Sequence, residues 1–220
     1  MVLFQRDYFM RMIAQMTEAI GQVMKLRKEH KQEEALFVID ELLDKEFRLS
    51  SKLIRSLSDE DLVKVMSTNG ETDTDHLLAI ALLLKQEALL LAELGKETES
   101  FSGYVKALRL FLRLSLMGAE PTFAAPNAEI RDLLATLQPY ELPVPAKRLL
   151  MAWHEAEGRY DELENVMFEM VEDMALSSAE AAAIYERLLL LSDESLAAGG
   201  LPREEIRQGL ADLSVEKIKE

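Results

Sequence analysis

The sequence predicts an all-α protein: antiparallel helix hairpins stacked into a short array. Three observations point there. Leu, Ala, Glu and Lys dominate, with only nine Gly and six Pro in 220 residues, and the common residues lose little rotamer freedom in a helix. Apolar positions recur at three- and four-residue steps, and no stretch sustains the alternation of a strand. Short polar or glycine-bearing turns separate the periodic segments, and short loops between helices imply antiparallel neighbours.

In chain order, the first helix is expected from Leu3 to Glu29, on a face built from Phe9, Met12 or Ile13, Met16, Ile20 and Val23. Its methionines offer adaptable apolar surface, serving either as core filler or as a partner-binding surface. A polar turn leads to a second helix, Glu33 to Arg48, with Leu36, Ile39, Leu43 and Phe47 on one face. Two short helices follow, one capped by Ser50 and ending at Leu57. The other opens with Ser58 and Asp61 in a capping-box arrangement. Asn69–Gly70 marks a turn, and Thr72 or Asp73 is the expected cap of the next helix.

That helix, from Asp75 to the Leu94–Gly95 turn, is apolar nearly all round and therefore needs cover on several sides. Its partner runs from Thr98 to Leu116 with Phe101, Tyr104, Leu108, Phe111 and Leu112 at helical spacing; Gly103 is unexpected there. The segment from Met117 to Asn127 combines Gly, two prolines and small residues and is the strongest break, and Phe123 within it is expected to pack. A short helix from Asn127 to Leu137 stops before Pro139. A third hairpin pairs a helix opened by Pro145 and stopped by Gly158 with one from Tyr160 to Ala175. Ser177 and Glu180 form a capping box for the next helix, Gly199–Gly200 closes that segment, and Pro202 starts a terminal helix that fades after Leu213. This makes about ten or eleven helices, read as one domain over 1–220 with a fallback division near 118–126.

The three hairpins align on His30, Gly95 and Gly158, at intervals of 65 and 63 residues. Small or apolar residues fall at matching offsets: Val23, Ala88 and Met151 before the turns, and Ala35, Ser100 and Leu163, then Ile39, Tyr104 and Met167, after them. The central copy resembles a tetratricopeptide repeat. Ala88, Leu94–Gly95, Tyr104 and Lys106–Ala107–Leu108 fit that family's spacing, although Ser100 stands where Ala is usual and the closing Pro is missing. QRDYFMRMI, KQEEALFVIDELL and LSDEDLVKVM resemble an uncharacterised family of tetratricopeptide-like proteins from Gram-positive bacteria, best over the first 115 residues. The resemblance implies a tetratricopeptide-like superhelix and a cytoplasmic setting, and transfers no activity and no functional residue.

Charge and composition exclude several functions. The net charge of −15 repels phosphate backbones and anionic lipid, so neither nucleic acid nor membrane is an expected partner. The first residues lack the pattern of a secretory signal. The longest apolar run, Leu77 to Leu84, is too short to span a bilayer. Without cysteine there is no disulfide, thiolate nucleophile or thiolate zinc site. No cofactor motif occurs: there is no phosphate loop of the GxxxxGK[ST] type and no GxSxG elbow. Asp73, Asp75 and His76 have metal-binding side chains but stand where a helix start uses them as caps, and Gly158 occupies the place a zinc helix would need for a second histidine after His154. Trp153 and Tyr104 read as core. The expected function is therefore a non-enzymatic scaffold that binds a peptide or helix of a partner protein. The alternative is a peptide-responsive sensor acting as a homodimer through the Met-rich first helix. Candidate partner-binding residues are Met12 and Met16 on that helix, and Lys106, Arg109 and Arg113, a basic stripe able to hold a carboxylate.

Overall fold

The computed structural model describes residues 2–47, 49–121 and 124–216, with side chains between 14 and 213. Among these residues are twelve helices and one minimal β-hairpin. Phe123, the last four residues, and the side chains of Phe9, Met12 and Ile13 lie outside the described set. Helices and their packing thus account for the architecture, and no helix among the described residues is long and apolar enough to cross a membrane.

The chain divides into two compact units, 1–141 and 142–220. The first contains α1 (Val2–Lys28), α2 (Gln32–Glu46), α3 (Ser51–Ser56), α4 (Asp59–Val65), α5 (Thr74–Glu93), α6 (Glu97–Leu116) and α7 (Pro126–Leu137). The glycine- and proline-bearing segment from Met117 to Asn127 belongs to this unit. Its centre is α5. Leu77 through Leu84 are all buried, more than two turns with no side left to solvent. A helix of this composition has to be covered in every direction. Helix α6 packs along most of its length, α2 and α1 cover another side, and α7 lies on α6. At the end of the buried run Lys85 bridges Glu129 and Asp132 of α7, at 2.6 and 2.5 Å.

Gly103, the residue out of place in a helical pattern, marks the closest approach in this core. A Cβ there would stand 2.9 Å from the Ala88 Cβ and 3.5 Å from its Cα. Two small residues let α5 and α6 come together at this point.

Local signals start most of the helices. Ser50, Ser58 and Asp73 accept from the backbone N–H of Leu53, Asp61 and His76, satisfying donors that a helix start leaves unpaired. The Asp61 carboxylate accepts from the Ser58 hydroxyl at 2.7 Å, in place of the reciprocal backbone bond of a full capping box. Asn69 and Gly70, both with positive φ, form the two-residue turn between β1 (Ser67–Thr68) and β2 (Glu71–Thr72).

The second unit holds α8 (Val144–Ala156), α9 (Tyr160–Glu172), α10 (Ser178–Leu188), α11 (Asp193–Ala198) and α12 (Arg203–Glu216). The Ser177–Glu180 capping box is complete. Ser192, an unforeseen cap, accepts from Ser195 N–H and separates α11 from α10. Helix α9 stops at Glu172, short of the expected Ala175, because Met174 adopts a left-handed conformation. Helix α12 continues to Glu216, past the expected fade after Leu213. A cluster of Leu163, Met167, Met170, Tyr185, Leu188 and Ile206 forms the core of this unit. Tyr185 donates its hydroxyl to Glu164 on α9. Gly209 on α12 leaves room for that hydroxyl, since a Cβ there would overlap it. Burial, joined by the carboxylate of Glu164, raises the Tyr185 phenol well above its ordinary value.

The three turns on which the hairpins align share one geometry. His30, Gly95 and Gly158 have φ of 59°, 74° and 68°. In each turn that residue donates to the carbonyl three back, and its successor to the carbonyl five back from itself: His30 to Arg27 and Lys31 to Leu26, Gly95 to Ala92 and Lys96 to Leu91, Gly158 to Glu155 and Arg159 to His154. Gly118, Met174 and Gly200 end their helices with the same pair of bonds. What distinguishes the three hairpin turns is the basic residue, Lys31, Lys96 or Arg159, which serves at once as N-cap of the returning helix.

The Gly103–Ala88 contact is testable by a double-mutant cycle. Gly103→Ala should gain about 1 kcal/mol of helix propensity yet destabilise the protein by about 1–3 kcal/mol through overpacking. Adding Ala88→Gly should recover stability by more than about 1 kcal/mol relative to the sum of the two single changes, measured by urea unfolding.

Candidate functional site

The basic stripe on α6 is built as the spacing requires, with Lys106, Arg109 and Arg113 on one face, but it is engaged within the chain. The Lys106 ammonium donates to the carbonyls of Ile54, Arg55 and Leu57 at 2.5, 2.6 and 2.6 Å. These belong to the end of α3, where carbonyls lack helical partners and the dipole favours a cation. Burial pulls the Lys106 ammonium down to about 8; the charge of Asp59 opposes this, and Arg109 and Arg55 add to it. Arg109 and Arg113 both pair with Asp59 at the start of α4, and Arg113 reaches Glu60 at 2.7 Å. Asp59 is 1% exposed. The carboxylate expected from a partner is thus supplied from 50 and 54 residues away in the same chain.

A third arginine ties the same α3–α4 segment to other helices. Arg55 on α3 donates from Nε to both oxygens of Glu87 on α5, at 2.8 and 3.0 Å, and from Nη2 to Asp40 on α2 at 2.5 Å. Burial works against its charge, and Glu87 and Asp40 more than offset that cost. The strap α3–α4 is therefore fastened to α2, α5 and α6 by side chains that sequence spacing does not connect. The legible part was Ser58 followed by acidic residues at a helix start; its pairing with Arg109 and Arg113 had no local signal.

Met16 is fully buried, and the side chain of Met12 lies outside the described residues. The accessible apolar surface of this hairpin belongs to other residues. A cleft of about 410 Å³ lies against α1 and α2, lined by Gln22, Leu26, Glu33, Glu34, Phe37 and Val38. Phe37 is 62% exposed. Sequence reading passed over it because Leu36, Ile39, Leu43 and Phe47 defined the inner face of α2. A signal was present all the same: an aromatic ring on the acidic side of an amphipathic helix. A separate cleft of about 520 Å³, lined by Met24, Arg27, Lys28, His30, Gln32 and Glu93, lies at the turn of this hairpin. Arg27 and Glu93 pair across it at 2.5 Å.

The histidine candidates have structural surroundings. Asp73 accepts from the backbone N–H of His76 at 3.1 Å and binds the ring Nδ1 at 2.6 Å. Burial raises the Asp73 carboxyl, and the bonds from His76 outweigh it, so the net shift is downward. Phe47 meets the His76 ring edge-on at 5.8 Å. Among the described residues no group of three or more His, Asp or Glu is arranged to hold a metal. His154 is 3% exposed beside fully buried Trp153, and its Nδ1 has no hydrogen-bond partner. The Arg159 guanidinium lies 5.8 Å from the centre of the Trp153 ring.

A model for a family of unknown function, DUF6483, matches residues 3–217. No curated protein and no solved structure shows a significant match.

His154 gives the second unit a calculable response to acid. Burial, with the Arg159 charge, lowers its imidazole from 6.5 to about 4. Between those values the unfolded chain binds the proton that the folded chain refuses, so stability falls as pH drops from 6.5 to 4. The contribution is about 3 kcal/mol at most. The fluorescence of Trp153, the single tryptophan, reports unfolding of this unit directly. The difference in stability between pH 7 and pH 4 should be smaller in His154→Phe than in the unaltered protein.

Proposed function

The chain belongs to the DUF6483 family of unknown function, and we propose that it is a non-enzymatic protein-interaction module that binds a segment of a partner protein. The observation that carries the reading is Phe37, a large aromatic side chain standing 62% exposed beside an apolar cleft. Exposing such a ring to water is costly, on the order of 2 kcal/mol relative to burial, and exposed aromatics recur as anchors of binding interfaces. The stripe of Lys106, Arg109 and Arg113 has its carboxylate already, so the apolar cleft and not the stripe is the proposed contact surface.

A tetratricopeptide-like stack of hairpins is the proposed framework. The common geometry of the turns at His30, Gly95 and Gly158 supports it, as does the small-residue contact between Ala88 and Gly103. The proposed setting is the cytoplasm, which suits a chain without cysteine.

The test is site-specific crosslinking in native cells, with a photoreactive amino acid at position 37 and a control at exposed Glu186 in the second unit. The expected result is an adduct with a different protein from position 37 and none from 186. Adducts only between copies of this chain would replace the reading with self-association. Equal adducts from both positions would overturn it.

A further inference from the structure

The chemistry of the α1–α2 surface narrows what it binds. We infer that its occupant is a basic amphipathic helix of a partner, with one large apolar residue in the cleft of Leu26, Phe37 and Val38 and Lys or Arg beside Glu33 and Glu34. This inference rests on the interaction-module reading and specifies its ligand.

Three observations support it. The first is the form of the surface. Within α1 and α2 the backbone N–H and C=O groups are bonded inside their own helices, so this face has no strand edge to which an extended peptide could pair. Recognition there must proceed through side chains. It suits a ligand whose own backbone is already satisfied, which is a helix laid beside two helices.

The second is charge. Helix α2 carries Glu33, Glu34, Asp40, Glu41, Asp44 and Glu46 against the single cation Lys45. Three of the acids are occupied: Asp40 by Arg55, Glu41 by Lys45, and Asp44 by the backbone N–H of Ser51. Glu33 and Glu34, the two that line the cleft, form no ion pair among the described residues; Lys31 nearby pairs with Glu29 and acts on Glu34 only through its longer-range charge. The whole chain is acidic as well, at −15, so long-range attraction favours a cationic ligand over an anionic or neutral one.

The third is register. Positions 33, 37 and 41 follow one another at steps of four, and 34 and 38 run beside them. Carboxylate and apolar groups therefore alternate along the helix axis. A ligand helix presenting an apolar residue with basic residues three or four positions away would match both at once.

A phage-displayed library of random 16-residue peptides, panned against the full chain, tests the inference. Binders are compared on the unaltered protein, on Phe37→Ser and on the double variant Glu33→Lys with Glu34→Lys. All three positions are exposed, and circular dichroism checks that the helices persist. The expected binders are lost on Phe37→Ser. They carry two or more Lys or Arg at helical spacing from a large apolar residue, and weaken about tenfold or more on charge reversal. Binders that require Phe37 but show no basic bias, or that tolerate the charge reversal, would overturn the ligand chemistry and leave the interaction surface standing. A selection yielding no Phe37-dependent binder would overturn the surface itself, and the module reading with it.

Discussion

The first unit depends on the burial of α5. From Leu77 to Leu84 every side chain is inside, and a helical run of that length points in all directions. Water can be excluded from it only if other helices surround it. The hydrophobic term, about 25 cal/mol per Å² of apolar surface, therefore acts on a whole set of neighbours rather than on a single face. Helix α6 provides the closest cover because Gly103 meets Ala88 without an intervening side chain. Lys85 ends the apolar run and fastens α7 through Glu129 and Asp132.

Charge is used at the margins of this core to fasten the short helices. Helices α3 and α4 have six and seven residues, too few to be stable alone. Lys106 satisfies the carbonyls at the end of α3, and Asp59 at the start of α4 is inserted between Arg109 and Arg113. A buried carboxylate between two guanidinium groups adds little net stability compared with an apolar filling. It does fix position, because any displacement strands a charge away from water. The basic stripe therefore fits a role in fixing the strap, and the surface proposed for recognition is that of the first hairpin, where Phe37 is exposed.

Much of the fold was legible in the sequence because it rests on local rules. The apolar circumference of α5, the stops at Gly95 and Gly158 and the caps Ser50, Ser58, Asp73 and Ser177 follow from short-range spacing and turn chemistry. His30 was placed in register with the two glycines by alignment alone, and it adopts the same left-handed backbone at a cost of about 1–2 kcal/mol that glycine avoids. Tertiary contacts were not legible. Gly103 looked anomalous until Ala88 stood opposite. The partner of Arg109 and Arg113 lies some 50 residues away with no pattern linking them. Phe37 was hidden by a correct reading of the opposite face of its own helix. At Ser192 the cap had an ordinary signature, Ser followed by Asp and Glu, which the apolar run before it obscured.

Native-state hydrogen exchange on the first unit tests the dependence on α5 most directly. If the unit is held by the enclosure of that helix, amides from Leu82 to Leu91 should exchange only through global unfolding, with the full denaturant dependence of the unit. The amides of α1 and of the α3–α4 strap should open at lower free energy. Exchange of the α5 amides through a local opening, while α1 or the strap remains protected, would contradict the account.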